Sequence, residues 1–349
     1  MSGREGLRIA VYSGAELLGD GLFKMPFLRS LRATFPDAEI LWITTGKTVY
    51  AGVLKEIAAP FISHILENTG LVTSIREILV PRRINTDGDI DILIDTQTNL
   101  WRSLALKRAL RPRLFVASSA DYLFSDVKPS QVNPHWTKTK PPHFVDSLLW
   151  LIDLVSHGNA KLADGEIAIP EAFVSLANTL LPSTRRYVGF APGSGDPTKR
   201  WPLERFITLA IEIRDRGYTP VFFIGPNERF MLSEIRQKVP DALFPEDQVP
   251  ESTQKGPLLV AALGRRLEAA VANDSGLGHM LSLSSIPLVL LYGRHSPLKY
   301  APRIQSLHYF WAQDFGSTDH EAIPLKNVAA ALNAALNASP AGRADCCAF

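Results

Sequence analysis

The chain has 349 residues, 46% of them hydrophobic and 21% charged, with a formal net charge of +2. That length exceeds one ordinary core and suits two domains, and the composition is that of a globular protein. The near-balanced charge does not indicate a nucleic-acid binder; no apolar run approaches a membrane span, and the one at 9–11 is too short for a signal-peptide core, so a cytoplasmic protein is expected.

Strand-like runs at 8–12, 39–44 and 90–95 alternate with helical runs at 21–34, 49–58 and 100–109. Segment 118–142, rich in Pro, Ser and Asp, reads as a long, partly mobile loop. A helix is predicted over 143–157, with an apolar stripe at Val145, Leu148, Leu149, Ile152 and Val155. The pattern loosens at 163–186, and the interdomain connection is placed at 166–186. A second alternation follows, with strands at 187–191, 219–224, 267–272 and 288–292 and helices at 203–216, 228–239, 257–263 and 278–285. A last amphipathic helix covers 321–336. Such alternation predicts an α/β protein with parallel sheets. The domains are read as 1–165 and 187–320, with a helix and loose tail at 321–349, the helix free to pack back on the first domain. Two doubly wound units facing each other would leave a ligand cleft between the carboxyl ends of their strands. Both cysteines, Cys346 and Cys347, lie in the last four residues, which removes disulfides, zinc sites and thiol nucleophiles from the expected folded body. The ending Cys346-Cys347-Ala348-Phe349 fits a prenylation box formally, but four loose residues match easily by chance.

The turn Asn273-Asp274-Ser275-Gly276-Leu277-Gly278-His279 carries the strongest chemical signal. It links a strand to a helix, and a helix start presents free N–H groups and a positive dipole end that suit phosphate. Ser275, Gly276 and Gly278 would let a pyrophosphate approach the backbone. His279 either donates to such a phosphate or is a core histidine bonded to backbone. No His or Cys stands at metal-ligand spacing around it, so no metal site is expected. Pro192-Gly193-Ser194-Gly195, followed by Lys199, opens the loop after the second half's first strand; it suits phosphate oxygens, with a polar turn and a solvated lysine as the even alternative. Glu228 follows Gly225-Pro226-Asn227 at a strand end, where a carboxylate can accept ribose hydroxyls; taken alone, a first-turn glutamate is the commoner explanation. Asp20 lies where the first strand hands over to the first helix, and an N-cap aspartate is the plain reading. The run 101–113 is basic without an acidic residue; Arg102, Lys107 and Arg108 would face an anionic acceptor or membrane headgroups, and a solvated helix face is the commoner cause of such a run.

Taken in order, these pieces resemble the heptosyltransferases of glycosyltransferase family 9. The resemblance rests on Gly19-Asp20, Met25-Pro26, Leu31-Arg32 and Asp95-Thr96-Gln97-Thr98-Asn99 in the first half. In the second half it rests on Pro192-Gly193-Ser194, Lys199-Arg200-Trp201-Pro202, Gly225 to Glu228, Asn273 to His279 and Tyr292-Gly293. It implies a GT-B fold of two Rossmann-like domains across a cleft, with the donor held mainly by the second. It also implies an inverting, metal-independent, cofactor-free transfer from a nucleotide sugar, commonly ADP-heptose, to a lipopolysaccharide-core or related glycan. By position Asp20 matches the general base. Lys199 and the Asp274–His279 turn, with Ser194, Ser275 and Gly276, match the donor phosphate site, Lys199 acting on the leaving group, and Glu228 matches the ribose contact. An anionic glycolipid acceptor would bring the protein to the cytoplasmic face of the inner membrane. Two other readings stay open: a nucleotide-sugar epimerase on the same fold, and a non-catalytic nucleotide-sugar binder.

Overall fold

A computed structural model describes residues 6–133, 141–163, 167–250 and 255–338. The chain divides into two compact units, Met1–Gly165 and Glu166–Phe349.

In the first unit, β1 (Arg8–Tyr12), β2 (Glu39–Ile43), β3 (His64–Leu66), β4 (Ile92–Asp95) and β5 (Leu114–Ala117) form one parallel sheet in the order β3-β2-β1-β4-β5. The central strands Arg-Ile-Ala-Val-Tyr and Ile-Leu-Ile-Asp are buried along their whole length, as expected of strands covered on both faces. Helix α1 (Leu18–Thr34) buries Leu22, Met25, Phe27, Leu28 and Leu31 and packs against α3 (Phe144–Val155). Helix α2 (Leu100–Leu110) starts at Asn99, whose side chain caps the N–H of Arg102 at 3.3 Å.

The second unit holds another five-stranded parallel sheet, of β6 (Tyr187–Ala191), β7 (Thr219–Phe222), β8 (Leu267–Asn273), β9 (Leu288–Tyr292) and β10 (Leu307–Trp311), ordered β10-β9-β8-β6-β7. Its helices include α4 (Glu171–Leu180), α5 (Leu203–Asp215), α6 (Leu232–Lys238), α7 (Pro257–Gly264), α8 (Gly276–Ser282) and α9 (Leu325–Ala338). Helix α7, Pro-Leu-Leu-Val-Ala-Ala-Leu-Gly, is buried on every side because it is packed by both α4 and α8.

The segment read as a connection carries α4, which buries Phe173 and Ala177 and packs on α7 within the second unit. The last helix, α9, packs within the second unit, where Val328, Leu332 and Leu336 fall in the core built on β6, β8 and β9. The described first part of the segment read as a loose loop is anchored, with Tyr122 fully buried and Asp126 Oδ2 accepting from the N–H of Phe115 at 2.8 Å. The rest of that loop at 134–140, together with Cys346 and Cys347, lies outside the described residues.

Candidate functional site

In an open parallel sheet, ligands bind beyond the carboxyl ends of the strands, where the strand order reverses direction. In the second unit that point lies between β6 and β8. Asn273 ties the two strand ends together: its Nδ2 donates to the carbonyl of Pro192 at 2.8 Å, and its Oδ1 accepts from the N–H of Trp201 at 3.1 Å. Beyond this staple opens a cavity of about 790 Å³, within the usual range for a small-molecule site. Ser194, Gly225, Glu228, Ser275, Gly276 and Met280 are among the residues that line it.

The predicted phosphate residues converge here. Lys199 closes a short turn begun by Asp196, whose side chain accepts from the N–H of Thr198 at 2.9 Å. Its Nζ comes within 3.5 Å of Asp274 Oδ2. His279, in the first half of α8, brings Nε2 to 3.6 Å from the other oxygen of Asp274, so the turn folds back as the five-residue spacing required. Burial opposes the charge on Asp274, but His279, Lys199 and His295 outweigh it and hold the carboxyl below its ordinary range. The carboxylate thus acts as an anchor that gathers Lys199, His279 and His295 next to Ser275, which lines the cavity. Ser275 caps α8, its Oγ accepting from the N–H of Gly278 at 3.5 Å. Gly278 has a packing reason rather than the expected phosphate-approach reason: a Cβ there would stand 2.7 Å from the carbonyl of Asn273 and 3.0 Å from Leu290 Cδ2.

Glu228 is almost fully buried, and its Oε1 accepts from Arg200 at 3.2 Å. The same guanidinium donates to the carbonyl of Ser194 at 2.9 and 2.7 Å, so Arg200 binds the two loops together. Glu228 presses on the Gly225 backbone so closely that a Cβ on Gly225 would overlap Oε2, and one on Gly193 would stand 3.1 Å from its Cγ. The Gly-Pro-Asn-Glu and Pro-Gly-Ser signals are therefore two sides of one contact. Deeper in the cavity wall, burial pushes the Glu246 carboxyl up to about 7, against the pull of Lys255.

Arg200, Glu246 and His295 were not singled out from the sequence. Arg200 stands beside Lys199 in a motif already quoted, which was a usable signal. His295 carries no local signal, because it reaches Asp274 only through the pairing of β8 with β9.

In the first unit, Asp20 is the third residue of α1 rather than its cap. It is exposed, and its Oδ2 accepts from the N–H of Leu17 at 3.2 Å. Behind it lies a buried polar network. Glu16 Oε1 pairs with Lys24 Nζ at 3.1 Å, and its other oxygen accepts from Thr48 Oγ1 at 2.5 Å and Trp42 Nε1 at 3.3 Å. Ser13 Oγ bonds both partners of that pair. Asp95, wholly buried at the end of β4, accepts from Ser103 Oγ at 2.6 Å and the N–H of Gln97 at 2.9 Å. Burial pushes its carboxyl up to about 7, against those bonds and the charges of Lys24 and Arg102.

The expected acceptor cations separate. Lys107 is committed within its own unit, paired with Asp126, donating to the carbonyl of Phe124 at 3.3 Å and lying 5.4 Å from the Phe115 ring centroid. It fastens a loop of its own unit. Arg108 is exposed, and Arg102 lies over the Trp101 ring at 5.3 Å.

Comparison with known proteins bears on what this site does. The model of "Glycosyltransferase family 9 (heptosyltransferase)" matches residues 86–327. The lipopolysaccharide heptosyltransferase 2 of Escherichia coli (strain K12) is 36% identical over 125 residues, a stretch covering 34% of this chain and 34% of that relative, about a third of each. A crystal structure of a family 9 glycosyl transferase from Veillonella parvula is 25% identical, covers 95% of this chain and 97% of its own, and superposes with a TM-score of 0.68. The E. coli ADP-heptose lipopolysaccharide heptosyltransferase II structure, 20% identical with a TM-score of 0.65, covers 95% of this chain and 99% of its own and has the same fold. The two parallel sheets with their helices are thus the two Rossmann-like domains of a GT-B protein.

Proposed function

Since the chain belongs to glycosyltransferase family 9, whose model covers residues 86–327, we propose that it transfers heptose from ADP-heptose to a hydroxyl of a lipopolysaccharide-core glycan, with inversion. The observation that carries this reading is the cavity at the β6–β8 reversal, with Glu228 and Ser275 in its wall and Lys199 and His279 gathered on Asp274, the neighbour of Ser275. Diphosphate oxygens would meet Lys199, His279, Ser194, Ser275 and the backbone at Gly276; the ribose would meet Glu228. The acceptor hydroxyl attacks the anomeric carbon, the bond to the diphosphate oxygen breaks, and Asp20 takes the hydroxyl proton. Charge grows on the departing diphosphate, where Lys199 and His279 stabilise it. Asp20 supports the base role by being exposed, with its carboxylate held at a helix start by one backbone hydrogen bond.

Arg102 and Arg108 are the acceptor contacts in this reading. Work at the cytoplasmic face of the inner membrane follows from a lipid-linked acceptor; among the described residues no helix is long and apolar enough to cross a membrane. No step in the mechanism calls for a metal or another cofactor.

The test incubates the full chain with ADP-heptose, with and without a heptose-deficient lipopolysaccharide core, and follows both by mass spectrometry. Heptosylated acceptor and released ADP, formed only together, are the expected result. Conversion of the donor without acceptor points to an epimerase; donor binding without turnover on any acceptor points to a binding protein; either outcome overturns the transferase reading.

A further inference from the structure

Strands β8 and β9 pair in parallel, Asn273 opposite Leu291, so the turn after one and the loop after the other emerge side by side. That places His295 against Asp274 across 21 residues of sequence. His295 Nδ1 lies 3.0 Å from Asp274 Oδ2 and 3.0 Å from Lys199 Nζ. An ammonium only donates and a carboxylate only accepts, so one ring nitrogen cannot serve both. Bare, Nδ1 accepts from Lys199; protonated, it donates to Asp274.

The surrounding charges are accounted for. The second oxygen of Asp274 faces His279. Arg294 precedes His295 in the loop, and its charge and that of Lys199 bear on Asp196. On the other side the ring of Tyr300 lies 5.6 Å away, with Lys299 over it at 4.9 Å. His320, behind Gly293, is buried with its Nε2 3.1 Å from the carbonyl of Leu291, and burial holds its pKa below the ordinary imidazole value. His295 itself is 45% exposed at its side chain and open to solvent protons.

We propose that His295 is a positioning residue of the donor diphosphate site, and that its Nδ1 exchanges Lys199 for a proton when the diphosphate arrives. The inference rests on the reading of this cavity as the donor site. Drawn onto a phosphate oxygen, Lys199 releases Nδ1. Nδ1 then takes a proton from solvent and donates it in a hydrogen bond to Asp274. Lysine cation and aspartate anion cancel, so with a neutral imidazole the trio offers no net charge; the imidazolium makes it net positive beside an anion. Donor binding therefore takes up a proton. It is tighter at low pH and weakens as pH rises.

Calorimetry of ADP-heptose binding to the full chain, without acceptor, in two buffers of different ionisation enthalpy reads the proton directly. The diphosphate of a nucleotide sugar is a diester with no proton to exchange near neutrality. The wild type should take up a fraction of a proton and bind about five-fold tighter at pH 6 than at pH 8. The His295→Gln variant, altered on an exposed loop, should melt as the wild type does and bind without uptake or pH dependence; His279→Gln should retain the uptake. Binding with no uptake, or with uptake unchanged in His295→Gln, overturns the inference and leaves the donor-site reading standing. No binding at any pH overturns both.

Discussion

The two units share a plan and use it in opposite ways. Each has a five-stranded parallel sheet with one reversal of strand order, between β1 and β4 in the first and between β6 and β8 in the second. In the first unit the chain's own side chains fill the reversal. Gln97 Nε2 donates to the carbonyl of Ser13 at 2.6 Å, Thr96 Oγ1 to that of Tyr12 at 3.0 Å, and the Glu16–Lys24 pair and Asp95 lie buried around them. In the second unit one asparagine staples the strand ends and the space beyond stays open. A reversal satisfied from within leaves Asp20, the proposed base, exposed in the first turn of α1. A reversal left open, with Lys199, His279 and His295 grouped on the Asp274 carboxylate beside Ser275 of its wall, calls for an anion from outside.

The largest expected effect would break the comparison if it failed. Asp20→Asn should cut heptose transfer by about 10²- to 10⁴-fold with the chain still folded, as loss of a general base does. A transfer assay at saturating donor checks it, and near-normal turnover would remove Asp20 as the base. Next, Glu16→Ala strands the Lys24 charge in the first unit's plug and should destabilise the protein by about 3–5 kcal/mol, seen in denaturant unfolding. The double variant Glu16→Ala/Lys24→Met should recover much of that loss; equal loss in both would mean the pair is not what holds the plug. Third, Gly225→Ala displaces Glu228 from the cavity wall and should weaken donor binding about ten-fold, roughly 1.4 kcal/mol, with a smaller change in melting temperature.

The smallest effect concerns pH. The folded pKa of Asp95, about 7, stands above the unfolded carboxylate value near 4. A raised folded pKa gives stability that is full below the unfolded value and is lost as pH rises through the folded one. Wild-type melting temperature should therefore decline between about pH 4 and pH 7 from this source. Asp95→Asn should flatten the decline and melt a few degrees higher than the wild type at pH 8; parallel melting profiles for the two would contradict it.

The central strands were legible because burial on both faces writes unbroken apolar runs: 8–12, 187–191 and 288–292 were read with the bounds the structure has. Of the edge strands β7 was read, at 219–224, but β3 and β10 were not. β3 has only three residues, His-Ile-Leu, and β10, Leu-His-Tyr-Phe-Trp, is half exposed and mixes polar with aromatic residues, so neither shows a strand period. Helix starts were read late, at 21 instead of Leu18 and at 278 instead of Gly276, because flanking glycines look like loop. At the candidate site, residues grouped along the chain, such as Asp274 to His279, were visible. His295, Glu246 and the Glu16–Lys24 pair were not, since sheet pairing or folding of a loop brings them together and no local spacing encodes that. The Lys107–Asp126 pair was not legible either, because a basic helix face looks the same in sequence whether it meets a ligand or a carboxylate of its own chain.

The division of labour between the units is tested most directly by thermal melting with ADP-heptose at a hundred times its dissociation constant, on the wild type, Lys199→Ala and Asp20→Asn. Binding at that excess stabilises by about 2.7 kcal/mol. The account predicts that gain in the wild type, the same gain in Asp20→Asn, and little or none in Lys199→Ala. No gain in the wild type, or a gain lost in Asp20→Asn and kept in Lys199→Ala, would contradict it.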